Sequence, residues 1–125
     1  MKTINTRNAP QAIGPYSQAK VINNFIFTSG QIPLKVDGTI VSDNFKLECI
    51  QVLDNISEIL NASGSNMSNI IKLTVYLTDL KNFSVLNTVF ENYFSNSLPA
   101  RSTVEVSKLP KNVRVEIEAI GFINE

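Results

Sequence analysis

Two stretches of this chain alternate apolar and polar residues with period two, and a helical stretch lies between them. In residues 70–77, Ile71, Leu73, Val75 and Leu77 point one way and Lys72, Thr74 and Tyr76 the other. In residues 113–122, Val113, Val115, Ile117 and Ala119 share one face, while Arg114, Glu116, Glu118 and Ile120 share the other. Runs of this kind need a sheet with one covered face. Two segments at helical spacing supply the cover. The first spans about residues 44–62, with Leu47, Ile50, Leu53 and Ile56–Leu60 in its stripe, Asp43 as the expected N-cap and Gly64 just past its end. The second spans roughly 80–95, capped by Asp79, with Phe83, Leu86, Phe90 and Phe94 as its stripe and Val89 and Tyr93 widening it.

The remaining strands are shorter. Residues 18–30 read as two strands turning at Asn23-Asn24, and Asp37-Gly38 marks a tight turn in the loop 31–43. A last short run, 102–106, follows the Leu-Pro-Ala signal at 98–100. Two helices separated by one strand predict an α+β domain over residues 1–125, a mixed sheet with both helices on one face. The other face then carries Tyr76 and Ile120. With 43% hydrophobic residues, only 18% charged and zero net charge, that face is expected to pack in a subunit interface. The resulting oligomer would form its cleft from neighbouring chains.

Composition narrows the chemistry. Histidine is absent, which excludes a His-based triad and the His-containing zinc sites. The single cysteine, Cys49, can form neither an internal disulfide nor a thiolate cage; it reads as a small packing residue just off the main stripe. No metal site is expected, and no glycine-rich phosphate loop is present. Without a basic run longer than two residues, nucleic-acid binding has little support. No stretch approaches the roughly 20 apolar residues of a membrane span, and the start lacks a signal segment. The cytoplasm is the expected compartment.

Chemistry must therefore come from arginine, carboxylates, hydroxyls, backbone groups and water. Arg101, one of only three arginines, opens the 102–106 run, where its planar fork suits a small organic acid. Glu116 is fixed mid-strand and could handle water from a partly dry cleft; Glu118 shares its phase. Tyr16, in the turn Gly14-Pro15-Tyr16-Ser17, could wall a pocket. Gly30, in Ser29-Gly30-Gln31, permits close backbone approach to a ligand. Taken singly, each also fits a plainer role: a solvated arginine, an edge-strand glutamate paired with Lys72 or Arg114, a surface aromatic, a strand end.

Together these residues fall in ordered blocks: Asn8-Ala9-Pro10, Ile13-Gly14-Pro15-Tyr16-Ser17-Gln18, Thr28-Ser29-Gly30-Gln31-Ile32-Pro33, the run 72–80, Pro99-Ala100-Arg101-Ser102-Thr103-Val104-Glu105-Val106, Leu109-Pro110 and Val115-Glu116-Ile117-Glu118-Ala119. Over nearly its whole length the chain resembles the RidA (YjgF/YER) family of reactive-imine deaminases. The resemblance implies a chorismate-mutase-like α+β subunit in a homotrimer with active clefts between subunits. It implies a 2-iminobutanoate/2-iminopropanoate deaminase, which hydrolyses 2-imino acids and their enamine tautomers (2-iminobutyrate, 2-aminoacrylate) to 2-keto acids and ammonia without a cofactor. It assigns Arg101 to the substrate carboxylate and Glu116, rather than Glu118, to water. Tyr16, Ser29, Gly30 and Asn87 fall on the family's pocket positions. Many members carry cysteine where this chain has Thr103, so a thiol role is lost there while the backbone can still meet the ligand. The alternatives are a non-catalytic sensor of small carboxylates, or a ribonuclease or translation inhibitor; the missing histidine and basic patch oppose the latter.

Overall fold

In the computed structural model, which describes residues 1–124, the two alternating runs lie side by side in one six-stranded mixed sheet. Strands β1 (Lys2–Ile4), β2 (Ala19–Ile22), β3 (Phe25–Thr28), β4 (Ile70–Leu77), β5 (Ala100–Glu105) and β6 (Val115–Phe122) take the order β1-β2-β3-β6-β4-β5. Every pairing is antiparallel except β4 with β5. That parallel pair is joined through helix α2 (Phe83–Tyr93), and α1 (Phe45–Ala62) links β3 to β4. The hairpin at Asn23-Asn24 forms as expected. Both asparagines have positive φ, 48° and 72°, which a two-residue turn matched to strand twist requires.

Both helices cover the same sheet face. Leu73, Val75 and Leu77 of β4 and Val115 and Ile117 of β6 are fully enclosed beneath them. From α1, Cys49, Val52, Leu53, Ile56, Ile59 and Leu60 are fully enclosed. This corrects the phase of the stripe. Leu47 is 51% exposed, while Cys49 lies in the packed face. Each enclosed Leu or Ile contributes about 2 kcal/mol, so this face fixes the helix more than intrinsic propensity does.

The cap is also one residue later than expected. Asp43 adopts φ 66°, and Asn44, in extended conformation, accepts the Leu47 N–H at 3.1 Å. Gly64, at φ 86°, does end the helix: its N–H reaches Asn61 O and the Ser65 N–H reaches Leu60 O. Asp79 caps a 3₁₀ turn, Leu80–Asn82, that leads into α2.

Two further differences concern strands. Ile71 is 40% exposed because the β4–β6 register shifts between Ile70 and Lys72, so Ile70 takes the core position opposite Gly121. Strand β1 escapes the sequence pattern because three residues carry too short a period, yet Ile4 is buried against β2.

The opposite sheet face has no cover in the chain. Ile22, Phe25, Phe27 and Val104 lie there, each more than two-fifths exposed, beside Tyr76 and Ile120. Among the described residues no helix is long and apolar enough to cross a membrane.

Candidate functional site

The first group of candidate residues is built around an irregularity in β3. Phe27 pairs with Ile120, and Gln31 bridges Ile117. Three residues on one strand thus face two on the other, which is a β-bulge at Thr28-Ser29-Gly30. The Thr28 hydroxyl compensates by accepting the Ala119 N–H at 3.0 Å. The bulge brings Gly30 against Glu116. A Cβ on Gly30 would overlap the Glu116 carboxylate, with Cδ at 2.8 Å and Cγ at 3.0 Å. Glycine is required here for space rather than for an unusual φ.

Glu116, Ser29, Gly30 and Tyr16 line one open cavity of about 460 Å³, together with Gln18, Gln31, Ile32 and Glu118. Glu116 is half-buried. Burial, and secondarily the charge of Glu118, pushes its pKa above the usual carboxylate range. Glu118 accepts a 2.8 Å hydrogen bond from the Tyr76 hydroxyl. The two carboxylates thus have distinct surroundings: one lies against Gly30 and the other is held by Tyr76. Ser29 spends its hydroxyl on Ser17 O at 2.6 Å, which ties the N-terminal loop to the bulge. The Tyr16 hydroxyl accepts the Ile13 N–H at 3.3 Å and keeps its own proton to donate.

Arg101, Asn87 and Thr103 lie elsewhere. Arg101 is paired with Leu73 and Thr103 with Val75, so both point to the helix-covered side at the β5 edge. Glu116 is paired with Tyr76 and points to the open side. The guanidinium of Arg101 sits over two α2 rings, 5.2 Å from the Phe83 centroid and 5.0 Å from that of Phe90. Its Nη2 donates to Asn87 Oδ1 at 2.8 Å. Among the described residues no carboxylate lies within ion-pair distance, and burial alone draws its pKa down. It lines a second hollow of about 220 Å³ with Asn87, Leu98 and Pro99. The Thr103 hydroxyl is enclosed without a hydrogen-bond partner among the described residues.

The candidates therefore fall into two groups on opposite faces of the sheet. One offers a fixed cation with no anionic partner among the described residues; the other offers a half-buried carboxylate beside a hydroxyl and open main chain. The pairing of Glu48 with Arg114, which also stacks on Phe45, removes Arg114 as a partner for Glu116. In the sequence Gln18 and Gln31 stand out only as members of motif blocks and Tyr76 only as an open-face residue; none is expected at the site. Gln18 stands inside the motif block 13–18, which was the only sequence signal for it.

Comparison with known proteins places this mixed six-stranded sheet with two helices on one face in a known family. Residues 6–123 match the family model described as Endoribonuclease L-PSP. Over 122 residues the chain is 50% identical to a RutC family protein of Pyrococcus horikoshii, covering 97% of each. It is 47% identical over 121 residues to the 2-iminobutanoate/2-iminopropanoate deaminase of Bos taurus, covering 96% of this chain and 88% of that one. The solved structure of E. coli TdcF with bound serine superposes with a TM-score of 0.95 at 40% identity, covering 99% of this chain and 100% of that one. The chain belongs to this family, the YjgF/RidA family.

Proposed function

We propose that the protein is an imine deaminase, hydrolysing small 2-imino acids such as 2-iminobutyrate and 2-iminopropanoate (the tautomer of 2-aminoacrylate) to 2-keto acids and ammonia. The observation that carries the reading is the division of the site. Arg101, oriented by Asn87 and two aromatic rings, has no anionic partner among the described residues. Among the described residues Glu116 has no ion-pair partner either. A substrate with a carboxylate at one end and an electrophilic carbon at the other needs both. A homotrimer in which the β5 edge of one protomer meets the bulge of the next would join them, and would cover the apolar open face of the sheet. The deaminase name of the bovine relative supports the reaction, and the serine bound to TdcF supports a small amino-acid-like ligand.

In this scheme Arg101 grips the substrate carboxylate through paired hydrogen bonds. The protonated imine leaves C2 electrophilic. Ionised Glu116 takes a proton from water as its oxygen bonds to C2, giving a carbinolamine. That proton passes to the amine; as the C–N bond breaks and ammonia leaves, the carbinolamine hydroxyl gives its proton back to Glu116 and the carbonyl forms. Asn87 holds the guanidinium, Tyr16 and the Ser29-Gly30 edge bound the pocket, and Thr103 contributes its main chain beside Arg101. Imines hydrolyse readily in water, so positioning and a base need lower the barrier by only a few kcal/mol. Protein side chains and water complete the scheme without a cofactor.

The test is to generate the imine in situ with a threonine or serine dehydratase and follow keto-acid release. Wild type should accelerate it, Arg101→Ala should fall to the uncatalysed rate, and Glu116→Gln should lose at least about tenfold. Acceleration unaffected by either substitution would refute the assignment. Ligand binding without acceleration would favour a carboxylate sensor.

A further inference from the structure

The wall of the 460 Å³ cavity that carries Tyr16 is anchored at its base by one buried side chain. Residues 5–18 form neither helix nor strand, so their main-chain groups need other partners. Gln18, 3% exposed, supplies them. Its Oε1 accepts the Thr6 N–H at 2.7 Å. Its Nε2 donates to Pro10 O at 2.8 Å and to Thr6 O at 3.1 Å, with a longer 3.5 Å contact to Ala9 O. Ala9 is fully enclosed at the base of the same loop. Beyond that base, packing is thin: Ile13 is 60% and Tyr16 49% exposed, although both line the cavity. The rim thus takes its position from this base, which the Gln18 amide holds, and from the bond of the Ser29 hydroxyl to Ser17 O.

We infer that Gln18 is a positioning residue for the proposed imine hydrolysis, stapling the loop 6–17 so that Tyr16 stands at the cavity mouth opposite Glu116. The inference rests on the deaminase reading. The chemistry demands an amide. A carboxylate of the same shape could still accept from Thr6, but it would set its oxygen against the carbonyls of Thr6 and Pro10. A leucine would leave the Thr6 N–H and the Pro10 carbonyl without this partner. The staple acts on ligand binding rather than on the chemical step, because Gln18 belongs to the wall and Glu116 to β6. It also leaves the sheet intact, since the ladder bond from Ser29 N–H to Gln18 O, 2.8 Å, uses main chain only.

Gln18→Glu and wild type would be compared by steady-state kinetics on imine generated in situ and by amide hydrogen exchange. The expected result is a KM raised about tenfold with kcat changed less than about threefold, a loss equivalent to one or two buried hydrogen bonds. Amides of residues 6–16 should exchange faster while those of β4 and β6 keep their protection. If Gln18→Glu does not fold, Gln11→Ala tests the same loop. It removes an exposed 2.8 Å bond to Thr6 O and should raise KM by a smaller factor. Wild-type turnover with an unchanged KM in the variant that folds, or protection lost equally throughout the sheet, would overturn the inference alone. A wild-type protein that does not hydrolyse imines would overturn the function reading and this inference with it.

Discussion

Arg101 and Glu116 lie on opposite faces of the sheet, with β4 between their strands, and that placement makes an arithmetic prediction. On the proposed shared cleft, Arg101→Ala would spoil only the arginine half and Glu116→Gln only the glutamate half. If each cleft takes one half from each of two neighbours, an oligomer containing both variants includes clefts in which both halves are intact. Unfolding the two variants together at equal concentration and refolding them assorts the chains at random. Each cleft then draws an intact arginine half with a chance of about one half and an intact glutamate half likewise, so about a quarter of all clefts are whole. The recovered imine-hydrolysis rate should be about a quarter of a wild-type sample refolded in the same way. Native mass spectrometry on chains carrying different tags would confirm that mixing occurred. A mixed sample no more active than the mean of its two parents, with mixed oligomers present, would refute the shared cleft.

Other outcomes follow from local geometry. Gly30→Ala should push the Glu116 carboxylate aside, because the obstructing atoms belong to the flexible end of that side chain. Activity should fall at least about tenfold while stability changes by less than about 1 kcal/mol, as read by kinetics and thermal melting. Glu118→Gln removes the like charge beside Glu116 but keeps an acceptor for Tyr76, so Glu116 should ionise at lower pH and the acidic limb of the kcat/KM profile should move down. The sign for stability is set by the same shift. A carboxyl raised in the folded state supports folding below its unfolded pKa, and that support is lost as pH rises through the folded value; urea titrations across this range should show a smaller loss in Glu118→Gln. Burial pushes the Cys49 thiol up to about 12, so iodoacetamide should leave native protein unmodified near pH 8 and label it once unfolded.

The parts of the fold legible in the sequence were those fixed by local chemistry. The alternation in β6, the left-handed asparagine pair at 23–24 and the glycine after α1 each declare themselves within a few residues. What stayed hidden depended on a second segment. Asp43 and Asn44 are both good caps, and the choice between them follows from the backbone entering α1. Ile71 leaves the core because of its register against Gly121, which no inspection of β4 alone supplies. The same limit applies to the site. Residue pattern could not separate Glu116 from Glu118, since they share a face; the bulge in β3 separates them by placing Gly30 against one. Nor could it reveal that Arg101 and Glu116 face apart, because that follows from strand order and pairing.

The shared cleft is tested most directly by measuring specific activity and solution mass together through serial dilution. At concentrations where the particle has three times the 13.8 kDa chain mass, imine hydrolysis should be at its full rate per chain. It should fall in step with dissociation, leaving the isolated chain without activity. A 13.8 kDa species that retains the full rate per chain would contradict the claim that catalysis needs the arginine of one protomer and the glutamate of its neighbour.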